Sequence, residues 1–69
     1  MTRKDYVMIA ETIRELLGDI DREPPRMREV LRGERMGVAS VALRLGVQLR
    51  QDNPRFDLTR FIEACGLTA

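Results

Sequence analysis

The hydrophobic residues of the N-terminal segment recur every three or four positions, which is the spacing of an amphipathic helix. Thr2 and Asp5 precede this pattern as a capping box with Asp in place of the usual Glu or Gln. Gly18 follows its last member and is expected to end the helix. The sequence therefore predicts a first helix over 3–17, with an apolar stripe made by Tyr6, Ile9, Ala10, Ile13, Leu16 and Leu17.

A second helical pattern follows a segment that contains two consecutive prolines. Residues 18–25 are expected to be a linker, because Pro24 and Pro25 cannot lie inside a helix but can open one. The helix is predicted over 26–51. Gly33 and Gly37 lie within it, and each costs about 1 kcal/mol relative to alanine in a helix interior. The pattern leaves open whether this helix is continuous or broken near Gly33–Gly37.

The pattern of the C-terminal segment predicts a turn, then a helix with an N-cap residue, and then a glycine that ends this helix. Pro54 disfavours helix at the residue before it, so the second helix should end by about Asn53. Asp57 can accept hydrogen bonds from the free N–H groups of a new helix, and Gly66 suits a left-handed cap. A third helix is therefore predicted over 57–65.

These patterns predict an all-α fold, a small bundle of three principal helices in one domain over 1–69. The apolar residues do not alternate over a useful length, so no strand is expected. The core is expected to contain Tyr6, Ile9, Ile13, Leu16, Val38, Val41, Leu45, Leu49, Phe56, Phe61 and Ile62.

The chain is expected to fold, because 43% of its residues are hydrophobic and 33% are charged, which is a composition typical of globular proteins. The formal net charge is only +1, which argues against attraction of the whole molecule to nucleic acid or lipid. Its longest apolar run, Val41-Ala42-Leu43, is far too short for a membrane span, and the N-terminus lacks the pattern of a signal peptide. A cytoplasmic location and no membrane partner are expected.

Candidate catalytic and ligand-binding groups are scarce. The chain has no histidine, and its single cysteine, Cys65, lies on the apolar stripe of the third helix, which favours a buried hydrophobe over a reactive thiol. Asp19, Asp21 and Glu23 resemble a cation loop but lack the glycine and the later Glu of an EF-hand. We expect no enzyme, no catalytic, cofactor-binding or metal-binding residue, and no small-molecule substrate.

The charges are unevenly distributed along the chain. Residues 5–23 contain six acids and two arginines, a balance of −4, whereas residues 26–60 contain eight arginines and four acids, a balance of +4. The two halves could attract each other inside the fold, or the arginines could form a binding surface. The candidate partner-binding residues are Arg26, Arg28, Arg32 and Arg35. Their target could be an acidic protein or, alternatively, the phosphates of a nucleic acid.

Residues 41–47 are similar to the bend of a helix-turn-helix, but Pro54 would cut off a recognition helix that starts at Gln48. One continuous helix, with Gly46 allowing close packing, is the favoured interpretation.

Both ends of the chain resemble a known group of proteins. The opening Met-Thr-Arg-Lys-Asp-Tyr, with Ile9, Ala10 and Ile13, and the closing Asn-Pro-Arg-Phe-Asp-x-x-Arg-Phe-x-x-Ala-Cys-Gly resemble small uncharacterised proteins of bacteriophages, prophages and GC-rich bacteria. The resemblance covers residues 1–13 and 47–66 and does not extend to 18–37. It implies a phage-associated setting in the host cytoplasm, where very small proteins often bind a host or phage protein.

The expected function is that of a non-enzymatic protein-binding module, acting as an inhibitor or modulator of a host or phage protein. The alternative is a small nucleic-acid-binding protein with an arginine-rich face. A homo-oligomer is also expected, because a chain of 69 residues is near the lower limit for a core that stabilises a monomer. Met36, Leu43 and Val47 would be buried between its subunits.

Overall fold

The computed structural model of the protein describes residues 2–67, apart from the side chain of Arg28. Its helices are α1 (Arg3–Asp21), α2 (Pro25–Asp52) and α3 (Leu58–Ala64). The described residues contain no strand, so the prediction of an all-α fold is confirmed.

The N-terminus of α1 is stabilised by the predicted residues. The Asp5 carboxylate accepts hydrogen bonds from the backbone N–H of Thr2 at 2.9 Å and from its hydroxyl at 3.2 Å. These two hydrogen bonds hold the pKa of Asp5 below its ordinary value, and the bond from the backbone N–H has the larger effect. Thr2 and Asp5 thus fix the start of α1, as their spacing indicated.

The predicted end of α1 at Gly18 is wrong, because the helix continues for one more turn to Asp21. Ile20 lies in that turn and is buried, as are Leu17 and Ala10 on the same stripe. Burial of a large aliphatic side chain contributes about 1.5 to 3 kcal/mol, which exceeds the cost of about 1 kcal/mol for glycine inside a helix. The linker predicted over 18–25 is therefore only the segment 22–24.

Helix α2 is continuous over 28 residues and has no break near Gly33–Gly37. It begins at Pro25, one residue before the predicted start, and ends at Asp52, one residue after the predicted end. Proline is favoured at a first helical position because its missing N–H would have no partner there. The bend expected of a helix-turn-helix at residues 41–47 is absent, as the continuous interpretation predicted.

The end of the chain forms a short capped helix. Asp57 accepts a hydrogen bond from the backbone N–H of Arg60 at 3.0 Å, so it acts as the predicted N-cap. Gly66 has a φ of +83°, and the backbone N–H groups of Gly66 and Leu67 donate to the carbonyls of Glu63 and Ile62. This is the Schellman arrangement expected of a C-terminal glycine. The helix itself is Leu58–Ala64, slightly shorter than the predicted 57–65.

Helices α1 and α2 are antiparallel, as their contacts show. Asp21 at the end of α1 pairs with Arg35 of α2, and Ala10 and Ala42 share the core. Near the start of α1, the centroids of the Tyr6 and Phe56 rings are 4.7 Å apart. Helix α3 packs against both helices, and the molecule measures 42 × 18 × 18 Å.

Fewer of the predicted core residues are fully buried than the sequence indicated. Phe61 is buried as expected, but Leu16 and Val41 are 43% and 65% exposed, so their assignment to the core is wrong. The centre of the contact between α1 and α2 is formed by Ala10 and Ala42, whose small side chains let the helices approach closely. Residues of the predicted core that are partly buried lie around it: Tyr6, Ile9, Ile13, Val38, Leu45, Leu49, Phe56 and Ile62.

Candidate functional site

The four arginines predicted to bind a partner lie in the first three turns of α2 but do not share one side of it. Arg26 and Arg32 are exposed, whereas Arg35 is only partly exposed. The side chain of Arg28 lies outside the described part of the structure. Arg26 precedes Arg35 by nine residues, or two and a half turns, so the two side chains leave α2 on opposite sides.

Arg35 is held by an acidic residue of α1. Its Nε donates to Asp21 Oδ1 at 2.9 Å and its second guanidinium nitrogen donates to Asp21 Oδ2 at 3.2 Å, a bidentate pair. Arg32, Arg35, Asp21 and Glu29 line an open cavity of about 540 Å³. This cavity is lined by both acidic and basic side chains. Because Arg35 of α2 pairs with Asp21 of α1, it contributes to the packing of the basic helix α2 on the acidic helix α1.

Two of the three acidic residues of the candidate cation loop are paired with arginines. Asp19 accepts a hydrogen bond from Arg22, and Asp21 accepts from Arg35. Over residues 2–67, no three Cys, Asp or Glu side chains lie close enough together to hold a metal ion.

A second groove, which sequence reasoning missed, lies where α1, α3 and the turn before α3 meet. It has a volume of about 550 Å³, and Arg3, Arg55 and Arg60 line it. None of these three arginines has a carboxylate within 4 Å among the residues that the structure describes. The aromatic side chains that line the same groove are Tyr6, Phe56 and Phe61.

The aromatic rings of this groove contact one another in tilted arrangements. The ring centroids of Phe56 and Phe61 are 5.4 Å apart, and Phe56 also contacts Tyr6. A signal was present in the sequence, since the dipeptide Arg-Phe occurs at Arg55-Phe56 and again at Arg60-Phe61. We refer to this site as the arginine-aromatic groove.

Between Val30 and Val41, the side of α2 that points away from the other helices carries no charged residue. Ala42 and Gly46 face inward, and Gly33 and Gly37 precede them by nine residues each, so the two glycines point outward. Val30, Met36 and Val41 are 72%, 65% and 65% exposed. We call this surface the outer face of α2 and define it as Val30, Gly33, Met36, Gly37, Ser40 and Val41, all of which are exposed.

Charged residues are found at the borders of the outer face rather than on it. Glu29 and Arg44 lie at its two ends, and Arg32 and Glu34 lie along its edges. One third of the chain is charged, yet none of the six residues of the outer face carries a charge. Single exposed apolar residues are common, but a continuous apolar patch usually marks an interaction surface.

The two glycines of the outer face have no packing role within the described chain. A Cβ atom added at Gly33 or Gly37 would meet no atom within 4 Å. By contrast, a Cβ atom at Gly46 would lie 2.6 Å from Leu58 Cδ1. The cost of Gly33 and Gly37 to helix stability is therefore not offset by any contact inside the described fold.

The residues assigned from the sequence to a self-association surface differ in exposure. Met36 and Leu43 are 65% and 51% exposed, whereas Val47 is partly buried. Cys65 is fully buried, and burial raises the pKa of its thiol, so it is a core residue as expected.

Comparisons with known proteins give no name to these surfaces: no family model, no curated protein and no solved structure matches the chain. None of the helices in the described part of the chain has both the length and the apolar character needed to cross a bilayer.

Proposed function

We propose that this chain is a non-enzymatic protein-binding module and that it binds through the outer face of α2. The observation that carries the proposal is the uncharged surface made by exposed Val30, Met36 and Val41 around two unpacked glycines. A continuous apolar patch on an exposed side of a helix usually marks a surface that another protein covers. Valine and methionine side chains also suit a partner that presents a helix.

The resemblance at the two ends of the chain supports a biological setting for this activity. It suggests a phage-associated protein in the cytoplasm of a bacterial host, where it acts as an inhibitor or modulator of a host or phage protein. The uncharged patch lies mainly in residues 30–41, and residues 18–37 are the segment outside that resemblance. A surface specific to this protein is therefore expected there.

Site-specific photo-crosslinking in bacterial cells tests the proposal. A photoreactive amino acid at Met36 should give crosslinked protein products, and the same residue at Met8 should give few or none. Met8 is the matched control because it is a methionine of α1 with a similar exposure, 59% against 65%. Equal crosslinking from the two positions, or none from either, would contradict a binding role for the outer face.

The alternative function is nucleic-acid binding, and the arginine-aromatic groove is the observation that favours it. Arg3, Arg55 and Arg60 could contact phosphates, while Tyr6 offers a ring for stacking. Under this alternative, duplex or single-stranded DNA should bind at about 150 mM salt. The logarithm of affinity should then fall with the logarithm of salt at a slope of about −0.9 per contacted duplex phosphate. Failure to bind DNA at low salt would eliminate the alternative.

A further inference from the structure

The chain exposes more surface than is usual for a monomeric protein of its size. A monomeric protein of 7.9 kDa ordinarily exposes about 4,400 Å². This chain exposes 5511 Å², which is about 1,100 Å² more. A stable protein interface of standard size covers about 800 Å² on each partner. One interface would therefore remove most of the excess surface.

The charges at the two ends of the outer face are complementary to each other. Glu29 and Arg44 are both exposed, and neither forms an ion pair within the described chain. The midpoint between them falls at Met36 and Gly37, in the middle of the uncharged patch. If two copies of α2 pair in antiparallel orientation about this midpoint, each Glu29 meets Arg44 of the other copy.

The residues near that midpoint allow two helices to approach closely. Gly33 and Gly37 leave open space on the outer face, and exposed Ser40 adds a third small residue. Met36 and Val41 lie beside this space and can fill the matching space on a second copy. A two-fold axis makes each contact occur twice, which is the usual geometry of a homodimer.

We infer that the partner of the outer face is a second copy of this chain, bound antiparallel through α2 with two Glu29–Arg44 ion pairs. This inference rests on the proposed function, because it names the protein that covers the same surface. The area argument shows that the chain has surface to spare for one interface, and the charge complementarity favours a second copy over an unrelated protein. A heterologous partner is then an outcome that the tests below can detect.

Sedimentation of the purified full chain tests the assembly. The wild type should sediment at twice 7.9 kDa at about 100 μM. Met36→Glu should weaken dimerisation at least a hundredfold, because it buries two unpaired carboxylates, one per copy. Met8→Glu should change the dissociation constant less than about threefold. A wild type that remains monomeric at 300 μM, or equal weakening by the two variants, would overturn the inference.

A charge exchange tests the antiparallel register. Glu29→Arg and Arg44→Glu should each weaken the dimer about tenfold, because each places like charges together twice. The double variant should restore affinity to within about threefold of the wild type. A double variant that is no tighter than the single variants would refute this pairing. Circular dichroism should show that all these variants keep the helical content of the wild type.

The two proposals can fail separately. A monomeric wild type whose crosslinker at Met36 captures a different protein would overturn the homodimer and leave the protein-binding function standing. A monomeric wild type that gives no crosslinked product at Met36 would overturn both.

Discussion

Gly46 of α2 lies so close to Phe61 of α3 that a Cβ atom added at Gly46 would be only 3.2 Å from Phe61 Cδ2. The same atom would be 2.6 Å from Leu58 Cδ1. Gly46 is therefore the point at which α3 docks on α2, and its missing side chain makes the close approach possible.

Replacement of Gly46 by alanine should destabilise the fold by up to about 2 kcal/mol. The substitution improves helix propensity by about 1 kcal/mol, but it overpacks the contact with Leu58 and Phe61, which typically costs 1 to 3 kcal/mol. Gly33→Ala is the matched control and should raise stability by up to about 1 kcal/mol, since nothing lies near its Cβ. Urea unfolding followed by circular dichroism at a few micromolar protein measures both. A stabilised Gly46→Ala variant would contradict the close contact.

Phe61→Ala should cost about 3 to 5 kcal/mol, because the ring is 4% exposed and packs on Phe56. A loss of that size is comparable to the whole stability of a small domain, so the variant should be largely unfolded at 25 °C. Thermal melting detects the loss. An unchanged melting temperature would show that α3 does not depend on this ring.

The ion pair between Asp21 and Arg35 should contribute little to stability. The two side chains are 52% and 38% exposed, and exposed pairs are worth about 0 to 1 kcal/mol. Asp21→Asn should therefore lower the free energy of unfolding by at most about 1 kcal/mol, and 1 M salt should reduce the difference. A much larger loss in urea titrations would mean that this pair fixes the packing of α1 on α2.

The binding role predicted for the arginines at the start of α2 can be separated from their role in folding. Simultaneous replacement of Arg28, Arg32 and Arg35 by alanine should lower the free energy of unfolding by no more than about 1 kcal/mol, since the half-exposed Asp21–Arg35 ion pair adds little to stability. If these arginines bind an acidic partner, the yield of products crosslinked at Met36 should fall in this variant. An unchanged yield would show that the three arginines are not part of the binding surface.

The thiol of Cys65 should make stability depend on pH in the alkaline range. Burial raises its pKa above the ordinary 9.0, so the folded state retains the proton at a pH where the unfolded chain releases it. This contribution is complete below the unfolded pKa and is lost as pH rises through the folded pKa. The stability of the wild type should thus fall more between pH 8 and pH 10 than that of Cys65→Ala. Parallel pH profiles of the two proteins would disprove the effect.

Local signals determined the starts and ends of the helices wherever the stabilising groups are close in sequence. Thr2 with Asp5, Pro25, Asp57 and Gly66 act within one helical turn, so their spacing was sufficient to predict them. That Val30, Met36 and Val41 lie together on the outside of the fold was not readable from the sequence.

Only the tertiary structure decided which side of α2 is buried. The sequence placed Val41 in the core, but its neighbour Ala42 is the residue fully buried there, one position and about 100° further around the helix. Packing of α1 continues the first helix past Gly18 because Ile20 finds a buried position. The arginine-aromatic groove likewise joins residues from both ends of the chain. Contacts between residues far apart in sequence set all three features, and no local pattern specifies such contacts.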